Sequence, residues 1–184
     1  MKKYSLNSVP TYLLIGLIVS ILSLGCEKNR DEDKIGLGLH NYKLQSGSYT
    51  FYASSEHYLQ TNIKRGDEKF CQVETKISKI SREGNILTLE IVKPIDCEVN
   101  YEIIWDGEIK ESYPMQCNLF VYALPGNCNK MLFGASIETL VINIEEVLKD
   151  IDKSTLSDIN FTIKDACSYR DVECTGDCAV TVAK

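Results

Sequence analysis

The sequence predicts an α+β fold, a mostly antiparallel β domain that is sandwich- or barrel-like, with one amphipathic helix and disulfide staples. Apolar residues alternate with polar ones over several stretches between residues 48 and 121, the period of half-buried strands. Apolar residues recur at three- and four-residue steps only between 137 and 151, which predicts one helix. Eight cysteines against two histidines among 184 residues favour disulfide bonds over metal ligation.

The first predicted strands lie between residues 49 and 92. Tyr49 to Tyr52 is rich in aromatic and β-branched residues, and residues 71–77 alternate from Cys71 to Ile77. Glu83-Gly84-Asn85 predicts a turn, after which residues 86–92 form the returning strand.

A hairpin is predicted around Asp106-Gly107. Apolar residues alternate over 99–105 and again over 109–121, and this dipeptide suits a two-residue type I′ turn. Further strands are predicted at residues 159–163 and 179–182.

The amphipathic helix is predicted from a stripe of six apolar side chains: Ile137, Leu140, Ile144, Val147, Leu148 and Ile151. Charged residues occupy the opposite side. Because residues 140–144 are rich in β-branched side chains, a strand beginning there is the alternative.

The N-terminus has the pattern of a secretory signal. Lys2 and Lys3 precede an apolar run from Tyr12 to Leu24. Thirteen helical residues cover about 20 Å, against the ~30 Å of a bilayer's hydrocarbon core, so the run is too short to span a membrane. This segment is therefore expected to be a signal peptide.

The run ends in Leu22-Ser23-Leu24-Gly25-Cys26, which resembles the lipobox of bacterial lipoproteins. The usual leucine lies three residues before the cysteine; here Ser23 has that place and Leu22 lies one position further out. This relaxed spacing resembles that of spirochaete surface lipoproteins. The resemblance implies cleavage before Cys26, lipid attachment to Cys26, and an outer-membrane protein exposed on the cell surface.

Three segments follow from these patterns. Residues 1–25 are the signal peptide, and residues 26–47 are the lipidated cysteine with a flexible acidic tether, in which Glu27 to Lys34 carries seven charges. Residues 48–184 are one globular β-rich domain, a size typical of a single domain.

The other seven cysteines are disulfide candidates: Cys71, Cys97, Cys117, Cys128, Cys167, Cys174 and Cys178. Seven is an odd number, so three bridges leave one thiol over, and the spacing does not determine the pairing. Cys167, Cys174 and Cys178 lie close together but lack a nearby histidine and the paired spacing typical of zinc sites, so we predict no metal.

No motif indicates catalysis or a cofactor. His57 follows Ser54-Ser55 without a nucleophile elbow or a glycine run for an oxyanion, and no phosphate-binding or calcium loop is present. The sequence therefore predicts a protein that is not an enzyme and has no cofactor.

Arg65-Gly66-Asp67 is a candidate binding motif. The tripeptide resembles the integrin-recognition sequence of matrix proteins, although Gly-Asp is also ordinary turn chemistry. The adhesive and the structural interpretation both remain open at this point.

The net charge excludes a sequence-independent nucleic-acid binder. It is -6 for the whole chain, and without residues 1–25, which hold two lysines and no acid, 18 basic and 26 acidic residues leave -8. The resemblance to spirochaete lipoproteins implies a surface-exposed binding protein for host molecules: complement regulators, plasminogen or extracellular matrix proteins, in adhesion or immune evasion. The alternative is a periplasm-facing lipoprotein that inhibits a hydrolase or assists envelope assembly.

Overall fold

The computed structural model describes residues 41–128 and 134–182. These residues form the strands β1 (Tyr42–Ser46), β2 (Tyr49–Ala53), β3 (Lys76–Glu83), β4 (Ile86–Pro94), β5 (Cys97–Trp105), β6 (Met115–Cys128), β7 (Ala135–Asn143), β8 (Ile159–Asp165), β9 (Asp171–Cys174) and β10 (Cys178–Thr181). The helices are α1 (Ser55–Lys64), α2 (Ile144–Val147) and α3 (Lys153–Leu156). The predicted signal peptide, Cys26 and the charged part of the tether lie outside the described residues.

The strands form two sheets. The large sheet has the order β1-β2-β5-β6-β8-β9, antiparallel except for the parallel pairs β2–β5 and β6–β8. The small sheet has the order β10-β3-β4-β7 and is antiparallel throughout. The predicted class, a mostly antiparallel β domain with little helix, is confirmed.

The two sheets share one apolar core. Leu87, Leu89 and Ile91 of β4 are almost completely buried, and they belong to the same cluster as Phe161 and Ile163 of β8. Alternate residues of each strand point to the same face of its sheet, so these buried residues form the inner faces of the two sheets.

β6 differs because both of its faces are covered. Cys117 and Leu119 point into the shared core, whereas Phe120 and Tyr122 belong to a second cluster on the outer face of the large sheet. This outer cluster also includes Tyr58 of α1, so the helix covers that face.

The helix predicted over residues 137–151 is wrong for its first half. Residues 135–143 form β7, with Leu140 and Ile142 buried while Ile137 and Val141 face solvent. Apolar residues on both faces hide the period of two and imitate helical spacing. Asn143 then caps the single turn α2, accepting a hydrogen bond from the backbone N–H of Glu145.

The predicted two-residue hairpin at Asp106-Gly107 is also wrong, although its two strands do pair. Trp105 pairs with Leu119, so residues 106–114 form a longer connection. A type I′ turn needs positive φ at both central residues, and Gly107 has it whereas Asp106 does not. The Asp106 carboxylate instead accepts the backbone N–H of Glu108 at 3.1 Å.

The remaining strand predictions differ mainly at their ends. Strands predicted at 49–52, 86–92, 159–163 and 179–182 match β2, β4, β8 and β10 to within two residues. The strand predicted from Cys71 begins only at Lys76. Residues 42–46, placed in the tether by the sequence, form β1 and pair with β2.

Three disulfide bonds join Cys71 to Cys167, Cys97 to Cys128 and Cys174 to Cys178. Cys117 is the seventh cysteine and is buried and unpaired. The prediction of three bridges with one thiol left over is confirmed, and burial raises the pKa of the Cys117 thiol well above its usual value. Cys117 is therefore a core residue and not a reactive nucleophile.

Candidate binding surface

α1 is a ten-residue helix on the outer face of the large sheet that sequence reasoning missed. Its boundary signals are present: the Ser54 side chain caps the N-terminus by accepting the His57 backbone N–H, Glu56 lies in the first turn and Lys64 in the last. Acidic residues at the start and basic residues at the end stabilise a helix. The helix was missed because its apolar residues lack helical periodicity on the inner side, and the side of α1 that faces the sheet is not aliphatic.

The buried side of α1 consists of polar and aromatic side chains. The Tyr58 ring packs on the Phe120 ring at 4.7 Å, and burial raises the pKa of the Tyr58 hydroxyl. Thr61 is 1% exposed. His57 Nε2 lies 3.3 Å from the Glu102 carboxylate of β5, so this histidine helps to fix the helix on the sheet.

The aliphatic side chains of α1 face solvent. Leu59 is 55% exposed and Ile63 is 67% exposed. Residues four apart are neighbours on one face of a helix, so the two side chains form a continuous apolar stripe. Beyond the end of the helix, Tyr169 is 80% exposed and lies against Gly66. We call Leu59, Ile63 and Tyr169 the α1 surface.

Arg65 anchors the end of α1 to the loop after β8. Its guanidinium donates hydrogen bonds to the backbone carbonyls of Asp165, Ser168 and Arg170, and it pairs with the Asp171 carboxylate at 2.5 Å. The Arg65 side chain is only 8% exposed.

Asp165 belongs to the same connection. Burial raises the pKa of its carboxyl, while hydrogen bonds from the Cys167 N–H and the Ser168 hydroxyl, together with the charge of Arg65, act in the opposite direction. Arg65 and Asp165 thus hold the loop that carries Tyr169 against the end of the helix.

The predicted motif Arg65-Gly66-Asp67 therefore has structural contacts at each position. Gly66 has a φ of +74°, and an added Cβ would lie 2.8 Å from the Tyr169 ring. The Asp67 carboxylate accepts the backbone N–H of Lys69 at 2.8 Å. Integrin-type recognition needs an exposed guanidinium, and the structure instead places that of Arg65 inside the fold. The geometry favours the structural interpretation over the adhesive one.

The loop that follows is held in two further ways. Cys71 forms its disulfide with Cys167, and the Phe70 ring stacks on the Tyr122 ring at 4.0 Å with 5° between their planes. The Tyr122 hydroxyl also donates to the Phe70 carbonyl at 2.8 Å. The α1 surface is consequently presented by a rigid platform, which lowers the entropic cost of binding a partner.

A cleft elsewhere, between β3 and the β9–β10 connection, is lined by Arg82, Asn85, Ser157 and Asp177. Its most distinctive group is Arg82, which is 2% exposed. The guanidinium donates to the carbonyls of Gly84, Leu156 and Ile159, and burial lowers the pKa of Arg82. Its donors serve the fold, so this cleft is the weaker candidate.

Within residues 41–128 and 134–182, no three His, Cys, Asp or Glu side chains come together in a way that could hold a metal ion. In the same part of the chain, no helix is long and apolar enough to cross a membrane. No protein-family model, curated protein or solved structure matches the chain.

Proposed function

We propose that this protein is a lipid-anchored outer-membrane lipoprotein that binds host plasma or matrix proteins through the α1 surface, without catalysis. The observation that carries the proposal is the orientation of α1. The helix packs His57 against Glu102 and buries Thr61, while it directs Leu59 and Ile63 outward. Exposed apolar side chains grouped on a rigid element are typical of a protein-binding site.

The anchor is proposed from the sequence around Cys26. Two or more acyl chains, at ~0.8 kcal/mol per buried methylene, hold a protein stably on a membrane without a spanning segment. The charge of -8 after removal of residues 1–25 favours encounter with basic surfaces of a partner, and such steering weakens as salt rises.

Cys26→Ala is expected to abolish lipid labelling and leave an uncleaved precursor, because processing and acylation both need the cysteine. Metabolic labelling with a radioactive fatty acid, followed by electrophoresis, measures this. Cys117→Ala is the matched control, since Cys117 is a buried thiol of the folded domain. Normal labelling of the Cys26→Ala protein would disprove the anchor.

Leu59→Gln together with Ile63→Gln is expected to lower the capture of serum proteins at least tenfold, because two apolar anchors are lost while helix propensity and charge are kept. The bait is the full chain in detergent, and mass spectrometry quantifies the retained proteins at physiological and high salt. Gln60→Ala with Asn62→Ala changes the neighbouring exposed positions and serves as the control.

The possible outcomes separate the two locations proposed from the sequence. Retention of a complement regulator, plasminogen or a matrix protein, lost at high salt and in the double Gln variant, supports the proposal. Failure to retain any serum protein contradicts the proposal and favours the periplasm-facing alternative. Equal capture by the double Gln variant and the double Ala control contradicts binding through the α1 surface. Protease added to intact cells then reports orientation, since it removes only a surface domain.

A further inference from the structure

The small sheet ends in a long edge strand, β7. All nine residues of β7 pair with β4 in unbroken register, from Ala135 opposite Pro94 to Asn143 opposite Ile86. Among the described strands, none pairs with the other side of β7. Within residues 41–128 and 134–182, its outer backbone groups therefore have no strand partner.

β7 also exposes apolar side chains on the outer face of the sheet. Ile137 is 64% exposed and Val141 is 55% exposed, with Thr139 between them, and the adjacent Ile86 of β4 is 39% exposed. The outer face of β4 and β7 carries one charged residue, Glu90, and its carboxylate pairs with Lys79. Although the chain is acidic overall, this face therefore carries no charged side chain without a partner of opposite charge.

Natural edge strands normally carry a device that prevents pairing with another chain, such as a proline, a bulge or an unpaired charge. β7 has neither a proline nor a bulge. Its one charged residue, Glu138, points inward, where it pairs with Lys93 at 3.0 Å and accepts the Tyr101 hydroxyl at 3.1 Å. The edge is therefore suited to pairing and not protected against it.

We propose that β7 pairs with β7 of a second copy of this chain, antiparallel about a two-fold axis at Thr139. In that register Thr139 lies opposite its own counterpart, and Ile137 lies opposite Val141 on both sides of the axis. Thr–Thr pairs and pairs of β-branched side chains stabilise adjacent strands. The two small sheets then form one eight-stranded sheet.

The second copy is favoured over another partner by this self-complementarity. The exposed face of β7 reads Ala135, Ile137, Thr139, Val141, Asn143, so reversing it places an apolar residue opposite an apolar one on each side of the axis. Such a two-fold contact closes on itself and stops at two chains. α1 lies on the outer face of the large sheet, so the dimer leaves both α1 surfaces accessible and allows bivalent binding.

Thr139→Lys tests the dimer, because it places two lysines opposite each other at the axis while the exposed position tolerates the side chain in one copy. The full chain is solubilised in a density-matched detergent and its mass is measured by sedimentation. We expect two chains for the unchanged protein and at least tenfold weaker association for the variant. Ala179→Lys, on the exposed face of β10 at the other edge, is the matched control and should remain a dimer.

Thr139→Cys provides a second measurement that does not depend on disrupting the dimer. The two thiols at the axis are expected to form an intermolecular disulfide under mild oxidation of native membranes, which doubles the apparent mass in non-reducing electrophoresis. Ala179→Cys should not crosslink. Two results of sedimentation on the unchanged protein would overturn the proposal: the mass of a single chain, or an assembly larger than two chains. A dimer unaffected by Thr139→Lys, or equal crosslinking of the Thr139→Cys and Ala179→Cys proteins, would also overturn it.

Discussion

Replacing Cys71 and Cys167 together with alanine is expected to lower the free energy of unfolding by about 4.7 kcal/mol. This disulfide spans 96 residues, and in the chain-entropy account a crosslink of that span lowers the entropy of the unfolded ensemble and so raises its free energy by roughly this much. The bond also ties the loop after α1 to the loop after β8. Urea unfolding of the oxidised protein measures the change.

The other two bridges provide matched comparisons. Cys97–Cys128 spans 31 residues and Cys174–Cys178 spans 4, for which the same relation gives about 3.7 and about 1.9 kcal/mol. The expected order of destabilisation therefore follows the spans. If removal of Cys174–Cys178 costs as much as removal of Cys71–Cys167, the entropic explanation of these bridges is wrong.

Arg65→Ala is expected to lower the free energy of unfolding by about 3 kcal/mol, or roughly 10 °C in Tm. The substitution leaves the carbonyls of Asp165, Ser168 and Arg170 without their charged donor and the Asp171 carboxylate without its closest cation. Hydrogen bonds to a charged group are worth more than neutral ones, and their acceptors here lie in a partly buried connection. Thermal unfolding followed by circular dichroism reports the loss.

Lys69→Ala removes the same charge four residues later and is the control, with an expected change within about 0.5 kcal/mol because this residue is exposed. Asp67→Ala removes the other end of the tripeptide. If Arg65→Ala unfolds like the unchanged protein but abolishes attachment of host cells, Arg65 is a ligand residue and its structural role is wrong.

Strands with one buried and one solvent-exposed face could be predicted from the sequence. In β4 and β8 the inner positions are aliphatic or aromatic and the outer ones are more polar, so the period of two is visible. The prediction for β7 failed because Ile137 and Val141 are apolar although they lie on the solvent-exposed outer face. The same exposed apolar side chains that misled the prediction suggest that this strand has a partner.

The candidate site was harder to predict than the sheets. α1 has boundary signals but lacks an inward aliphatic stripe, because its inner side packs against Phe120 through Tyr58 and against Glu102 through His57. The structural role of Arg65 depends on carbonyls about 100 residues away in sequence. Disulfide partners are likewise set by tertiary contacts, which spacing along the chain does not reveal.

Hydrogen exchange of backbone amides reports whether a host protein docks on the α1 surface. The full chain is measured alone and with the serum protein that it captures most strongly. Docking on the α1 surface is expected to slow the exchange of backbone amides in residues 55–64 and to leave exchange in residues 76–94 of the small sheet unchanged. Protection confined to the small sheet, with α1 unchanged, would contradict it.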